Sequence, residues 1–191
     1  VTSETSSGKL ALKIINLASN TNQNEQGVTV ESSVDLSDQF ADLRDVSFDL
    51  GDMDNDSDYD IVVSGFDPLD GIKSIIYLNK TEPGGEFTFE ETNDNLVAVR
   101  AGTTDLIDFD NDGVLYTFYS GTGLQGDVFT VYKNLLINGG NEGCFQFVAF
   151  YSGLDPMREG SIDLVDLNSQ GYPDLVYSRY VEVIGKTSAI R

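Results

Sequence analysis

The chain has 191 residues, 40% hydrophobic and 10% aromatic, which is ordinary for a globular protein and enough for a sizeable core. Its 32 acidic against 11 basic residues give a formal net charge of -21, so nucleic acid and anionic membrane surfaces are poor partners: their phosphates would be repelled. With no histidine and Cys144 as the only cysteine, the sequence holds no Ser-His-Asp or Cys-His pair, no His/Cys zinc site and no internal disulfide.

The predicted elements are short strands throughout. In chain order they begin with apolar runs over 10–16 and 28–31, then 46–50 (Val-Ser-Phe-Asp-Leu), which leads into the acidic stretch Asp52-Met53-Asp54-Asn55-Asp56-Ser57-Asp58-Tyr59-Asp60. Runs follow over 60–63 and 74–79, and over 86–90 after the turn Pro83-Gly84-Gly85. The same succession then returns. A run over 104–107 precedes Asp108-Phe109-Asp110-Asn111-Asp112-Gly113-Val114-Leu115-Tyr116, with further runs over 115–119, 128–134 and 144–147. A third round opens with 161–165 and Asp166-Leu167-Asn168-Ser169-Gln170-Gly171-Tyr172-Pro173-Asp174, followed by 175–177 and a run over 180–184. β-branched and aromatic enrichment over four to six residues between Gly, Asp and Ser reads as strand, and no stretch has a helical period of ten or more residues. Cys144, beside Phe145, reads as a small buried hydrophobe.

The acidic loops open at 52, 108 and 166, a period of 56 and then 58 residues, and each has an aspartate three residues upstream (Asp49, Asp105, Asp163) and a serine downstream (Ser64, Ser120, Ser178). Fixed-period self-similarity marks a repeat architecture in which units bury their apolar faces on their neighbours. The expected fold is all-β: β-propeller blades of four antiparallel strands. The chain divides into a partial blade over about 9–35, blades over 44–91 and 101–150, and a partial blade over 159–191. Two whole and two partial blades amount to about three blade-equivalents, fewer than the roughly four to eight of a closed ring, so an open, partial propeller within a single repeat domain is expected.

Oxygen ligands at alternate loop positions 1, 3 and 5 can converge on a cation of calcium's size, which takes six to eight oxygens at about 2.3–2.6 Å. The first loop supplies Asp52, Asp54, Asp56 and Asp60 at positions 1, 3, 5 and 9, with the Asp58 carbonyl at position 7, and is the strongest candidate. The second has Asp108, Asp110 and Asp112, but Tyr116 stands at position 9. The third has Asp166, Asn168 and Asp174, with Gln170 at position 5. Weaker binding is expected in both. An EF-hand is excluded, because position 12 is Val63 or Tyr119 instead of a bidentate Glu.

The Asp-x-Asp-x-Asp-Gly-x-x-Asp pattern, the apolar strand and Ser-Gly after it, Tyr77-Leu78-Asn79 and the Gly85-Glu86-Phe87 turn resemble the FG-GAP and VCBS-type repeats of integrin α-subunit propellers and many secreted bacterial proteins. The resemblance runs from Leu10 onward. It implies calcium ligands at Asp52, Asp54, Asp56, Asp58 (carbonyl) and Asp60; at Asp108, Asp110, Asp112 and Val114 (carbonyl); and at Asp166, Asn168, Tyr172 (carbonyl) and Asp174. Ser57 in place of glycine, Tyr116 and Gln170 depart from the pattern.

The expected function is a calcium-binding module of a secreted or cell-surface protein, not an enzyme, which binds a protein or glycan. The candidate contact loops are 66–71, 121–126 and 154–158. Part of a carbohydrate-active enzyme, through paired carboxylates, and a filament or stalk unit whose sheet edges pair between chains are the alternatives. Pairing with further blades of the same or another chain is expected too. No apolar run approaches the roughly 18 residues of a membrane span, and the opening at Val1 begins no signal peptide, so either the chain is a mature or trimmed segment or targeting lies outside it.

Overall fold

The computed structural model describes residues 12–20, 27–92, 96–136, 145–151, 155 and 160–178; among them there is no helix. The strands are β1 (Lys13–Asn20), β2 (Gly27–Asp35), β3 (Arg44–Gly51), β4 (Asp60–Asp67), β5 (Gly71–Asn79), β6 (Phe89–Glu91), β7 (Arg100–Ile107), β8 (Tyr116–Gly123), β9 (Gly126–Leu136), β10 (Phe145–Tyr151), β11 (Ser161–Val165) and β12 (Asp174–Ser178). They form two four-stranded antiparallel meanders, β3-β4-β5-β6 and β7-β8-β9-β10, and two two-stranded sheets, β1-β2 and β11-β12. None closes on itself.

The repeat seen in the sequence extends to backbone detail. The first strand of each meander carries an irregularity at the same place, between Arg44 and Ser47 and between Arg100 and Thr103. At these bulges Asp45 and Ala101, one period apart, have φ of 50° and 49°. After β2 and after β6 the chain is tied back in the same way: Leu36 N–H donates to the Leu12 carbonyl and Thr92 N–H to the Ile76 carbonyl, both at 2.9 Å. The β1-β2 and β5-β6 pairs thus end in the same way.

The sheets stack face to face, because their central strands are apolar on both sides. Along β4 and β5, Ile61, Val63, Ile75 and Tyr77 pack against Leu36, Phe40 and Leu43, with Ile14 behind them. The alternate residues Val62, Ile76 and Leu78 turn the other way, into a second core with Met53, Val99 and Tyr119. Likewise Tyr116, Phe118, Phe129 and Val131 face Ile162, Leu164 and Leu175 of the β11-β12 sheet. A strand buried on both faces must read as a continuous apolar run, as Ile61-Val62-Val63 does.

Most strands run a few residues beyond the expected apolar runs, and one falls short. The run over 86–90 yields only β6, because the residues before it bond elsewhere. Lys80 N–H still donates to the Thr88 carbonyl, the next place in the β5-β6 register, but Thr88 N–H donates to Thr81 Oγ1 and Gln39 Nε2 donates to the Phe87 carbonyl. The first strand is described over Lys13–Asn20, and residues 10 and 11 of its expected run lie outside the described residues. The run over 180–184, the turn over 139–143 and Cys144 lie outside the described residues, as does most of the 154–158 loop.

Candidate metal centre

All three acidic loops are the bends between the first two strands of a sheet, at β3-β4, β7-β8 and β11-β12. Their local fold is dictated by the aspartate at position 1, whose two oxygens accept the backbone N–H groups four and five residues on. Asp52 takes those of Asp56 and Ser57 at 3.1 and 3.0 Å. Asp108 takes those of Asp112 and Gly113 at 3.0 and 2.9 Å, and Asp166 those of Gln170 and Gly171 at 3.0 and 2.7 Å. This wraps each loop through left-handed residues at positions 4 and 6: Asn55, Asn111 and Ser169 with φ of 57–59°, and Ser57, Gly113 and Gly171 with φ of 81–88°. Asn and Gly tolerate that region best, so Ser57 carries strain that its glycine counterparts avoid.

In the first loop Asp52, Asp54 and Asp60 converge, with one oxygen from each within 4.8 Å of the others. Asp60 is 0% exposed and Asp54 7%. Asp60 is held by the N–H groups of Met53 at 2.7 Å and Asn79 at 2.9 Å, yet burial, helped by the charges of Asp54 and Asp56, pushes its carboxyl up to about 6. Asp54 Oδ2 meets Lys80 Nζ at 3.2 Å. Its Oδ1 is buried without a hydrogen-bond partner, and so is Oδ1 of Asp58. Burial, with Asp56 beside it, likewise raises the Asp58 carboxyl. Buried carboxylate oxygens left without partners among like charges are costly unless a cation sits among them. The donors are all hard oxygens, the set that suits calcium. Asp52, Asp54 and Asp60 would hold the ion. Asp56 lies outside the converging trio and caps the Asp58 N–H at 3.2 Å. The sequence points to the carbonyl of Asp58, whereas the structure also turns its side-chain Oδ1 inward, which loop spacing alone does not signal.

In the second loop Asp108, Asp110 and Asp112 also converge within 4.8 Å, but Asp110 and Asp112 are exposed. Lys133 Nζ lies 2.9 Å from Asp110 and 2.7 Å from Asp112. Tyr116, at the ninth position, donates its hydroxyl to Asp110 at 3.0 Å, and Val114 N–H donates to Asp112 at 2.9 Å. The Lys133 hydrogen bond, ahead of the other influences, holds the Asp110 carboxyl below the usual range. Spacing within the loop gives no hint of this lysine. It arrives from β9 because Tyr116 pairs with Lys133 across the β8-β9 ladder.

The third loop brings together Asp166, Asn168 and Asp174. Asn168 Nδ2 donates to Asp174 Oδ2 at 3.2 Å, and so does Leu167 N–H. Asn168 Oδ1 accepts the Gln170 N–H at 3.0 Å. The N–H groups of Gly171 and then Gln170 hold the Asp166 carboxyl below its ordinary value. The loop has only two carboxylates, and Tyr172 is exposed. It touches the second loop through Asn111 Nδ2 and the Gly171 carbonyl at 3.2 Å.

Comparison with protein-family models, with curated proteins and with solved structures gives no match to this chain. The chemistry of the site therefore rests on its own geometry.

Proposed function

We propose that the chain is a calcium-stiffened segment of a β-propeller of the FG-GAP and VCBS kind, part of a secreted or cell-surface protein that binds a protein or glycan without catalysing a reaction. The observation that carries the calcium assignment is the first loop: a trio of aspartates, two of them buried, with an Asp54 oxygen lacking any partner. The propeller reading draws support from the stacking of successive sheets through their first strands, β3 against β7 and β7 against β11, which is how blades lie side by side around an axis.

Calcium here is structural. It adds two positive charges to a crowded anionic bend and couples metal binding to folding. The contact face is assigned to the opposite end of the sheets, where the β4-β5 and β8-β9 bends present Leu69 and Leu124, 93% and 80% exposed, at matching places. Loops on a rigid scaffold are where recognition commonly resides.

Thermal melting in calcium and in chelator tests the metal assignment. Calcium at about a hundredfold over its dissociation constant adds about 2.7 kcal/mol, which for a domain of this size raises the melting temperature by roughly 5–10 °C. Chelator reverses the rise, and Asp54→Ala abolishes it. Identical melting in calcium and chelator would contradict the proposal.

A further inference from the structure

We propose that Lys133 is the resident cation of the second acidic loop, its ammonium standing where a metal ion would, so that this lysine decides which of the loops is a calcium site. The inference rests on the calcium reading of the first loop and extends it.

The two loops have the same backbone but opposite answers to the same electrostatic problem. In the first, five aspartates crowd the bend. Lys80 reaches a single oxygen of Asp54 at 3.2 Å and leaves the other oxygen unpartnered. In the second, Lys133 bridges Asp110 and Asp112 at 2.9 and 2.7 Å, two of the three carboxylates that converge there. Its Nζ also lies 4.9 Å from the centre of the Tyr116 ring, over its face, and its side chain is only 22% exposed. An ammonium held by two carboxylates and an aromatic face supplies the charge compensation that the bend requires. A calcium ion entering there would have to expel the ammonium, and Tyr116 offers no carboxylate at position 9 in return.

The resident ammonium itself traces to one residue in matching strands. Tyr77 pairs with Ile61 and Tyr132 with Thr117, the residues that follow loop position 9 in each sheet. The next residue is Leu78 in the first sheet, buried in the core, and Lys133 in the second. Tyr-Leu-Asn thus leaves its loop open, and Tyr-Lys-Asn fills it.

The test is calorimetric titration of the whole chain with calcium chloride, using wild type, Lys133→Met, Asp110→Asn and the double variant. Methionine keeps an unbranched stem against Tyr116 and removes the charge. Lys133→Met should bind one more calcium than wild type, with the second loop's affinity raised about tenfold or more, since a unit charge at contact distance has been removed. The double variant should lose that extra site. Asp110→Asn alone should leave the wild-type stoichiometry unchanged, so a site lost in this arm overturns the proposal even if Lys133→Met does not fold. The proposal is overturned if Lys133→Met binds no additional calcium, if the added site survives Asp110→Asn, or if Asp110→Asn alone removes a site. Calcium binding by Lys133→Met but not by wild type would uphold the lysine's role and sink the first-loop assignment. The reverse failure, a wild type that binds and a Lys133→Met that adds nothing, would sink only the role of Lys133.

Discussion

A serine at φ 81° is the clearest local expense in the molecule, because the equivalent residues Gly113 and Gly171 adopt φ of 83° and 88° without a side chain to obstruct them. Ser57→Gly should therefore raise stability by about 0.5–1 kcal/mol, the strain relieved exceeding the chain entropy that glycine adds to the unfolded state. Urea denaturation at fixed calcium measures it, and a variant less stable than wild type would show that the Ser57 conformation costs nothing. At this scale the sequence disclosed the carboxylate spacing and the departures at Ser57, Tyr116 and Gln170. It did not disclose which oxygens would be left without partners. The Asp54 and Asp58 orphans follow from how the folded loop buries these oxygens, which spacing within a nine-residue loop does not encode.

Between elements, the aspartates three residues upstream of the loops have a structural task. β7 is the edge strand of its sheet, and side chains of β3 satisfy N–H groups along it: Thr104 N–H donates to Ser47 Oγ at 2.8 Å and Leu106 N–H to Asp49 Oδ2 at 2.7 Å. The following aspartate in the series, Asp105, faces Asp49 from β3 and Asp163 from β11. Burial, then its hydrogen bond to and the charge of Asp49, push its carboxyl up to about 7. Its ordinary value is 3.8, so between these limits the folded protein binds more protons than the unfolded chain. This contribution to stability is fully present below about pH 4 and is lost as pH rises to about 7. Asp105→Asn, whose amide can donate to Asp49 at any pH, should flatten that part of the stability profile and exceed wild type at pH 7. Denaturation midpoints between pH 4 and 7 check this, and parallel profiles for the two proteins would refute it. The period of these aspartates was plain in the sequence. Their bonding across sheets was not, since it depends on how adjacent edges are offset, and Lys133 was hidden for a related reason: only the β8-β9 register carries it to the second loop.

For the whole molecule, alternating residues of central strands build three cores between four sheets, so each sheet is stabilised chiefly by its neighbours. The all-β character and nearly all strand positions could be read from short apolar runs between turn residues. The shortness of β6 could not, because the side chains of Thr81 and Gln39 compete for the backbone of the segment before it. A net charge of -21 also makes the metal-free chain repel itself. Raising ionic strength from about 0.01 to 0.15 M shortens the Debye length from about 30 to 8 Å and should raise the melting temperature of the chelator-treated protein. A melting temperature unchanged or lowered by salt would show that repulsion is not limiting. The most direct measurement of the central claim is a calcium titration by calorimetry on wild type and Asp54→Ala, with folding verified by circular dichroism. Wild type should take up calcium with a dissociation constant of about 1 mM or tighter, and Asp54→Ala should lose one site. Equal uptake by the two folded proteins, or none by wild type, would contradict the account.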